Sequence, residues 1–333
     1  MKTVYKFFLS IILAAALVWT AAGCSSSGTQ DKVRVAEVTR SIFYAPLYVA
    51  MAKGFFEEEG LDVDLKTTWG GDKTMTALLT NGADIALVGS ETSIYVYAQG
   101  SDDPVINFAQ LTQTDGTFLV ARENTGSFDW NQLKDSTFLG QRKGGMPQMA
   151  GEFVLKKHGI HPQNDLELIQ NIEFANIANA FASGTGDYVQ LFEPTASIFE
   201  KEGKGHIVAS FGEESGSVPY TTFMAKRSYL KKHEDVSVRF VRALEKAQQW
   251  VEKSDALDVA KTVLPYFEDA DANILADAIE RYKQQGSYAS DMTLSKEGWS
   301  NLQAIMKEAG ELPKEVSYNE LVNTSIVKKA KTK

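Results

Sequence analysis

Apolar and polar positions along the chain fall into short apolar runs that alternate with longer stretches of helical period. Val33 to Thr39 predicts a strand, and Pro46 opens a helix through Leu47, Val49, Ala50 and Met51 that stops by Gly60. Leu61 to Trp69 alternates like a strand. Gly70-Gly71-Asp72 then opens a helix over Met75 to Leu79, and Asn81-Gly82 closes it. Ala83 to Val88 is a short apolar strand, and Gly89-Ser90 leads into a helix ending at Gly100. Strands over Val105–Gln113 and Thr117–Ala121 flank Thr114-Asp115-Gly116. The alternation then begins again. Thr137–Gly140, Leu166–Ile172, Tyr188–Phe192 and Ile207–Phe211 read as strands. Helices are expected from Gly144 to His158, over Ile177–Ala182 and from Pro194. From Tyr229 onward the period is helical, clearest over Ser237–Val251, Asn273–Gln284 and Glu297–Ala309. Repeated strand–helix alternation predicts two α/β units, each a mainly parallel sheet flanked by helices. Ligands in such sheets bind at the carboxyl ends of the strands. Two units joined by extended segments near Thr114 and Pro219 would face each other across a cleft suited to hinge closure.

The start of the chain breaks this pattern. Lys2 and Lys6 precede a nearly unbroken apolar run from Phe7 to Trp19, followed by Ala21-Ala22-Gly23 and then Cys24. Charged start, apolar centre and small-residue exit form a secretory signal peptide, here residues 1–23. A cysteine directly after the small residues resembles a bacterial lipoprotein signal, in which Cys24 becomes the lipidated first residue. Ala21 stands where leucine is commonest in that pattern, and a simple cleaved signal with a chance cysteine is the alternative reading. Ser25-Ser26-Ser27-Gly28-Thr29-Gln30 is the composition of a flexible tether, so residues 24–32 read as lipidated cysteine and linker.

Composition narrows the function. Among 333 residues, 44% are apolar and 23% charged, so the chain has enough apolar side chains for packed cores. A net charge of −9 argues against general nucleic-acid binding. With Cys24 as the only cysteine, a disulfide framework, a cysteine zinc cage and thiol catalysis are all excluded. The four histidines, His158, His161, His206 and His233, lack metal-ligand spacing, and no G-x-S-x-G nucleophile turn occurs. Neither a metal, a cofactor nor an enzymatic activity is expected.

Three segments carry a family resemblance. They are FYAPLYVA (43–50) with KGFFE and EGLDV, LTNGADIALVG (79–89) and GDYVQLFEPTAS (186–197). Together they resemble the solute-binding components of ATP-driven (ABC) importers for sulfonates, taurine, nitrate and thiamine-type pyrimidine precursors, the SsuA/THI5-like family. The resemblance runs over about residues 33 to 250. It implies a type II two-lobed periplasmic-binding-protein fold. Lobe 1 would hold residues 33–113 plus 214–333, and lobe 2 residues 114–213. It further implies a monomer on the outer face of the cytoplasmic membrane that passes a small solute to permease and ATPase subunits. A ligand-sensing lipoprotein is the alternative. So is an enzyme like the fungal pyrimidine synthases of the same fold, which depend on histidine and a cysteine cluster that this chain lacks.

Carried onto this sequence, the strand-end loops nominate the site. Gly89, Ser90, Glu91 and Thr92 form a helix start that attracts anions, unless Ser90 merely caps the helix. Gly144, Gly145 and Met146 form the corresponding corner of the second unit, with Arg142 and Lys143 placed to neutralise an anion or to remain solvated. Phe43, Tyr44 and Trp69 offer a stacking wall or core packing, and Arg40, Gly71 and Phe192 lie in the same loops. Glu193 would hold the donors of an amidine-like edge or serve its own helix, and Asp115 is a weaker carboxylate of the same kind.

Overall fold

The computed structural model describes residues 30–332 apart from Thr125 and Asp269. The signal segment, Cys24 and the linker as far as residue 29 lie outside the described residues. Ten strands are present among them, five in each of two sheets. The first sheet is ordered β2-β1-β3-β10-β4 and contains β1 (Asp31–Glu37), β2 (Leu61–Thr67), β3 (Ile85–Gly89), β4 (Val105–Thr112) and β10 (Thr221–Lys226). The second is ordered β7-β6-β8-β5-β9. It contains β5 (Thr117–Ala121), β6 (Thr137–Leu139), β7 (Glu167–Ile169), β8 (Tyr188–Phe192) and β9 (His206–Ser210). In each sheet one strand runs against the other four: β10 pairs antiparallel with β3 and β4, and β5 with β8 and β9. Both are the first strand the chain makes after crossing from one sheet to the other, so the mainly parallel prediction holds with this one exception per sheet.

Sequence and structure differ locally. The first strand begins at Asp31, whose N–H bonds to Gly60 O at 3.0 Å, so Lys32 belongs to the sheet and not to the linker. Phe211 starts a helix that Ser210 caps through its hydroxyl, ending the expected strand one residue early. Strand β10 was not predicted. Thr221 to Ala225 are all buried, so the run lacks the polar alternation that marks a half-buried strand.

The helix Ala45–Ala52 is apolar nearly all round and is buried from Ala45 to Ala50, as its sequence APLYVAMA requires. The helix Glu234–Lys253 is amphipathic. It turns Val238, Val241, Leu244 and Val251 inward and keeps its charged face in water.

The two crossings, residues 113–116 and 211–220, are tied to each other and to the end of the helix Ala272–Gln284. Val218 N–H donates to Gln113 O at 3.0 Å, and Gln113 N–H to Ser287 O at 2.9 Å. The Tyr282 hydroxyl donates to Gly116 O at 2.6 Å and accepts from Glu193 N–H at 3.3 Å. Gln285 Nε2 donates to Asp115 O at 3.1 Å while its Oε1 accepts from the Ser210 hydroxyl at 2.6 Å. Such close packing excludes side chains at two points. A Cβ on Gly116 would lie 2.7 Å from the Phe43 ring, and one on Gly212 would collide with Gln285 and Asp115 O.

Replacing Tyr282 with Phe keeps the ring and leaves Gly116 C=O and Glu193 N–H buried without this partner. Urea unfolding should then show a loss of about 1–3 kcal/mol. An unchanged midpoint would mean that this hydroxyl does not hold the crossings.

Candidate functional site

The carboxyl ends of β1, β2 and β3 face the loops after β6 and β8, and two connected chambers lie between the sheets. The inner chamber has a volume of about 390 Å³ and the outer about 590 Å³; Thr39, Gln141, Phe174 and Phe192 line both. Volumes of this size suit a small molecule.

Glu91 is the carboxylate of the inner chamber. It is the first residue of the helix Glu91–Ala98 and is 3% exposed. Its side chain folds back over Gly89, where a Cβ would lie 2.5 Å from Oε1. A side chain at 89 would require this carboxyl group to move, whereas the φ there is not one that demands glycine. Oε1 accepts a hydrogen bond from Met146 N–H across the cleft at 3.3 Å. Oε2 is buried and has no partner among the described residues. Burial pushes the carboxyl up to about 8, against the opposing pull of its own N–H and that of Met146. Tyr44, Tyr95, Phe192 and Tyr220 supply aromatic surface around the chamber, and the Tyr95 hydroxyl reaches Met149 Sδ at 3.8 Å.

Arg142 sits on the chamber wall but is paired twice, with Asp72 at 2.9 Å across the cleft and with Glu173 at 3.0 Å. Burial alone would raise the Asp72 carboxyl, yet the hydrogen bond and charge of Arg142 hold it below its usual value. Both partners are well exposed, so this pair contributes little static stability.

Of the other nominated residues, Tyr44, Gly71, Gly89, Thr92, Gly144, Gly145, Met146 and Phe192 line the inner chamber. Arg40, Trp69, Phe192 and Glu193 line the outer one. Trp69 is 46% exposed and adopts φ 58, an uncommon conformation for a bulky residue. Arg40 is turned inward. Its Nε lies 3.0 Å from Glu37 Oε1, its Nη2 donates to Thr67 at 3.0 Å, and it lies over the Tyr48 ring.

Four nominated residues are turned into the core or already partnered. Glu193 does not present a free carboxylate: Oε2 accepts from Ser197 N–H at 2.9 Å. Oε1 accepts from the Ser197 hydroxyl at 2.8 Å and from Arg281 at 3.1 Å. It serves the helix Thr195–Lys201, which follows it in the chain. Asp115 lines neither chamber. Its Oδ1 turns back onto the N–H and hydroxyl of Thr117, and burial pushes its carboxyl up to about 6. Ser90 is fully buried. Its N–H donates to Tyr220 O at 3.2 Å, and its hydroxyl neither caps the helix nor lines a chamber. Phe43 is core, its ring centroid 5.1 Å from that of Tyr282 and 5.7 Å from that of Tyr220. Sequence reasoning missed Tyr95 and Tyr220. Tyr95 follows Glu91 by one helical turn, a spacing that places both on one face; nothing local marks Tyr220.

Two mainly parallel sheets, crossed twice and enclosing a small-molecule chamber at their strand ends, define a type II periplasmic-binding-protein fold. The chain belongs to the NMT1-like family, whose profile matches residues 30–264, and so to the SsuA/THI5-like solute-binding proteins. It is 68% identical over 313 residues to YtlA of Bacillus subtilis (strain 168), spanning 94% of each chain. It is 25% identical over 271 residues to the formylaminopyrimidine-binding protein of Halalkalibacterium halodurans, covering 77% of this chain and 79% of that one. Its fold matches the alkanesulfonate-binding protein SsuA from Xanthomonas axonopodis pv. citri bound to MOPS. The TM-score is 0.71 at 18% identity, over 90% of this chain and 100% of the other.

The buried carboxyls set a pH dependence. Glu91 rises from 4.5 to about 8 and Asp115 from 3.8 to about 6 on folding, and Glu37 and Glu193 shift the same way. The folded chain therefore binds these protons more tightly than the unfolded chain, and stability falls as pH rises through this range. Thermal melts without ligand should show Tm decreasing from about pH 5 to about pH 8. Glu91→Gln should flatten the upper half of that decrease. A Tm that climbs across the range would contradict the assignment.

Proposed function

We propose that the chain is the extracytoplasmic solute-binding lipoprotein of an ABC importer. It captures a small organic solute between its lobes and delivers it to the permease. The observation that supports this most directly is the inner chamber itself, walled from both sheets. Across it, the two sides meet through contacts that include the Glu91–Met146 hydrogen bond, the Asp72–Arg142 ion pair, the Tyr95–Met149 contact and a hydrogen bond from the Ser41 hydroxyl to Glu193 O. Polar contacts of this kind can be broken and remade, so solute that touches both walls favours the closed arrangement by its own binding energy. Arg40, Trp69 and Phe192 of the outer chamber guide entry, and Gly144-Gly145 lets the backbone of the second lobe approach the solute. The relatives bind different cargo: the Halalkalibacterium protein is named for a formylaminopyrimidine, and the Xanthomonas SsuA for alkanesulfonates. An aminopyrimidine-like or a sulfonate-like organic solute is accordingly the starting panel. Lipidation at Cys24 holds the protein at the membrane, and the residues after it provide reach.

Small-angle scattering of the chain lacking residues 1–24 should show a smaller radius of gyration on saturation with a solute that raises Tm. A ligand at 100 times its Kd stabilises by about 2.7 kcal/mol, which a melt resolves easily. A stabilising solute that leaves the radius unchanged would remove hinge closure from the reading. In cells, Cys24→Ala should release the protein from the membrane fraction with solute affinity unaltered; a mutant still retained on membranes would exclude lipid anchoring.

A further inference from the structure

Glu91 differs from the paired carboxylates around the cleft. Asp72 is paired with Arg142, Glu173 with Arg142 and Glu193 with Ser197 and Arg281. Glu91 is as deeply buried as Glu193, yet among the described residues its Oε2 has no hydrogen-bond donor and no Lys or Arg acts on it. A buried polar atom without a partner is strongly disfavoured, and a carboxylate more so. The fold nevertheless makes deliberate room for it, because Gly89 has given up its side chain to the carboxyl group. The surroundings are aromatic: Tyr44, Tyr95, Phe192 and Tyr220 line the same chamber. Aromatic faces around one unpaired carboxylate attract a flat organic cation, through the ring quadrupole and a charge-assisted hydrogen bond together. An inorganic or sulfonate anion would find less, since the guanidinium of Arg142 already serves two carboxylates and Lys143 is the other cation on the chamber wall.

We propose that Glu91 fixes the charge class of the solute. On the reading that this cleft holds the cargo, the ligand is a small ring compound carrying a protonated amine or amidine that donates to Glu91 Oε2, and anions are rejected.

The groups facing Glu91 are the Met146 N–H from the second lobe, Tyr44 from the turn Ile42–Tyr44, Tyr95 from its own helix and Tyr220 from the second crossing, and the charged side chains on the same chamber wall are Asp72, Arg142 and Lys143. Burial pushes all three tyrosine hydroxyls upward, so they stay neutral near neutral pH. Glu91 is then the group that loses a proton when an organic cation arrives.

Calorimetry and thermal melts of the chain lacking residues 1–24 near pH 6.5 test this with ring-matched probes. The set is benzylamine and benzamidine as cations, benzenesulfonate and benzoate as anions, and benzyl alcohol as the neutral control. The cations should bind and release close to one proton, read from the enthalpy in two buffers of different ionisation heat. The anions and the alcohol should not bind. Glu91→Gln should weaken the cations at least tenfold and abolish proton release, and Glu91→Asp should weaken them without abolishing it. Benzenesulfonate binding as well as the cations, or a Glu91→Gln protein of unchanged affinity, overturns the proposal. If benzenesulfonate binds and Met146→Trp blocks it, the cleft remains the solute site and only the charge assignment falls. If no probe of either charge binds, the proposal fails and so does the solute-binding reading for compounds of this size.

Discussion

The molecule depends on the way two thin crossings are held against the end of one helix. Residues 113–116 and 211–220 are all that connect the two sheets along the chain, and neither crossing has a core of its own. Tyr282 and Gln285 supply what they lack. One hydroxyl and one amide satisfy Gly116 O, Glu193 N–H, Asp115 O and the Ser210 hydroxyl together. The glycines at 116 and 212 follow from this, because the crossings lie too close to their neighbours for side chains. The geometry of the cleft is thus set from below by a helix late in the sequence, while its walls come from loops early in the sequence.

The same accounting of polar groups separates the two buried glutamates. Glu193 attracts attention in the sequence because it precedes a proline and lies in a family segment. In the structure it is spoken for by Ser197 and Arg281. Glu91 is inconspicuous in the sequence, one of several residues at a helix start, and in the structure it keeps one oxygen without a partner. Burial does not by itself mark a functional carboxylate. What matters is whether the protein supplies its donors.

Much of the fold was legible because helical period and short apolar runs are local signals. The helix Glu234–Lys253 and strands β3 and β8 stand close to where the pattern places them. Strand β10 escaped because it is buried on both faces and inserted between β3 and β4, whose partnership depends on residues more than a hundred positions earlier. Site residues divide in a similar way. The loops at strand ends could be read from topology, so Gly89, Gly145 and Phe192 were found at the chamber wall. Whether a given side chain points into the chamber depends on packing: Phe43 and Tyr44 are neighbours, yet Phe43 fills the core beneath the crossing while Tyr44 faces the chamber.

Gly89 and Glu91 constrain each other in a way that bears on how such proteins diverge. The carboxyl group occupies the space a Cβ at 89 would need, so the order in which the two positions change has consequences. A lineage that abandons the carboxylate is free afterwards to acquire a side chain at 89. One that acquires the side chain first must displace the carboxylate. Once alanine or serine is fixed at 89, a glutamate reappearing two residues later would find its old place filled. The glycine therefore acts as a historical record: in any sequence aligned with this one, a side chain at position 89 means that a carboxylate cannot be lodged here in the same way, whatever residue stands at 91.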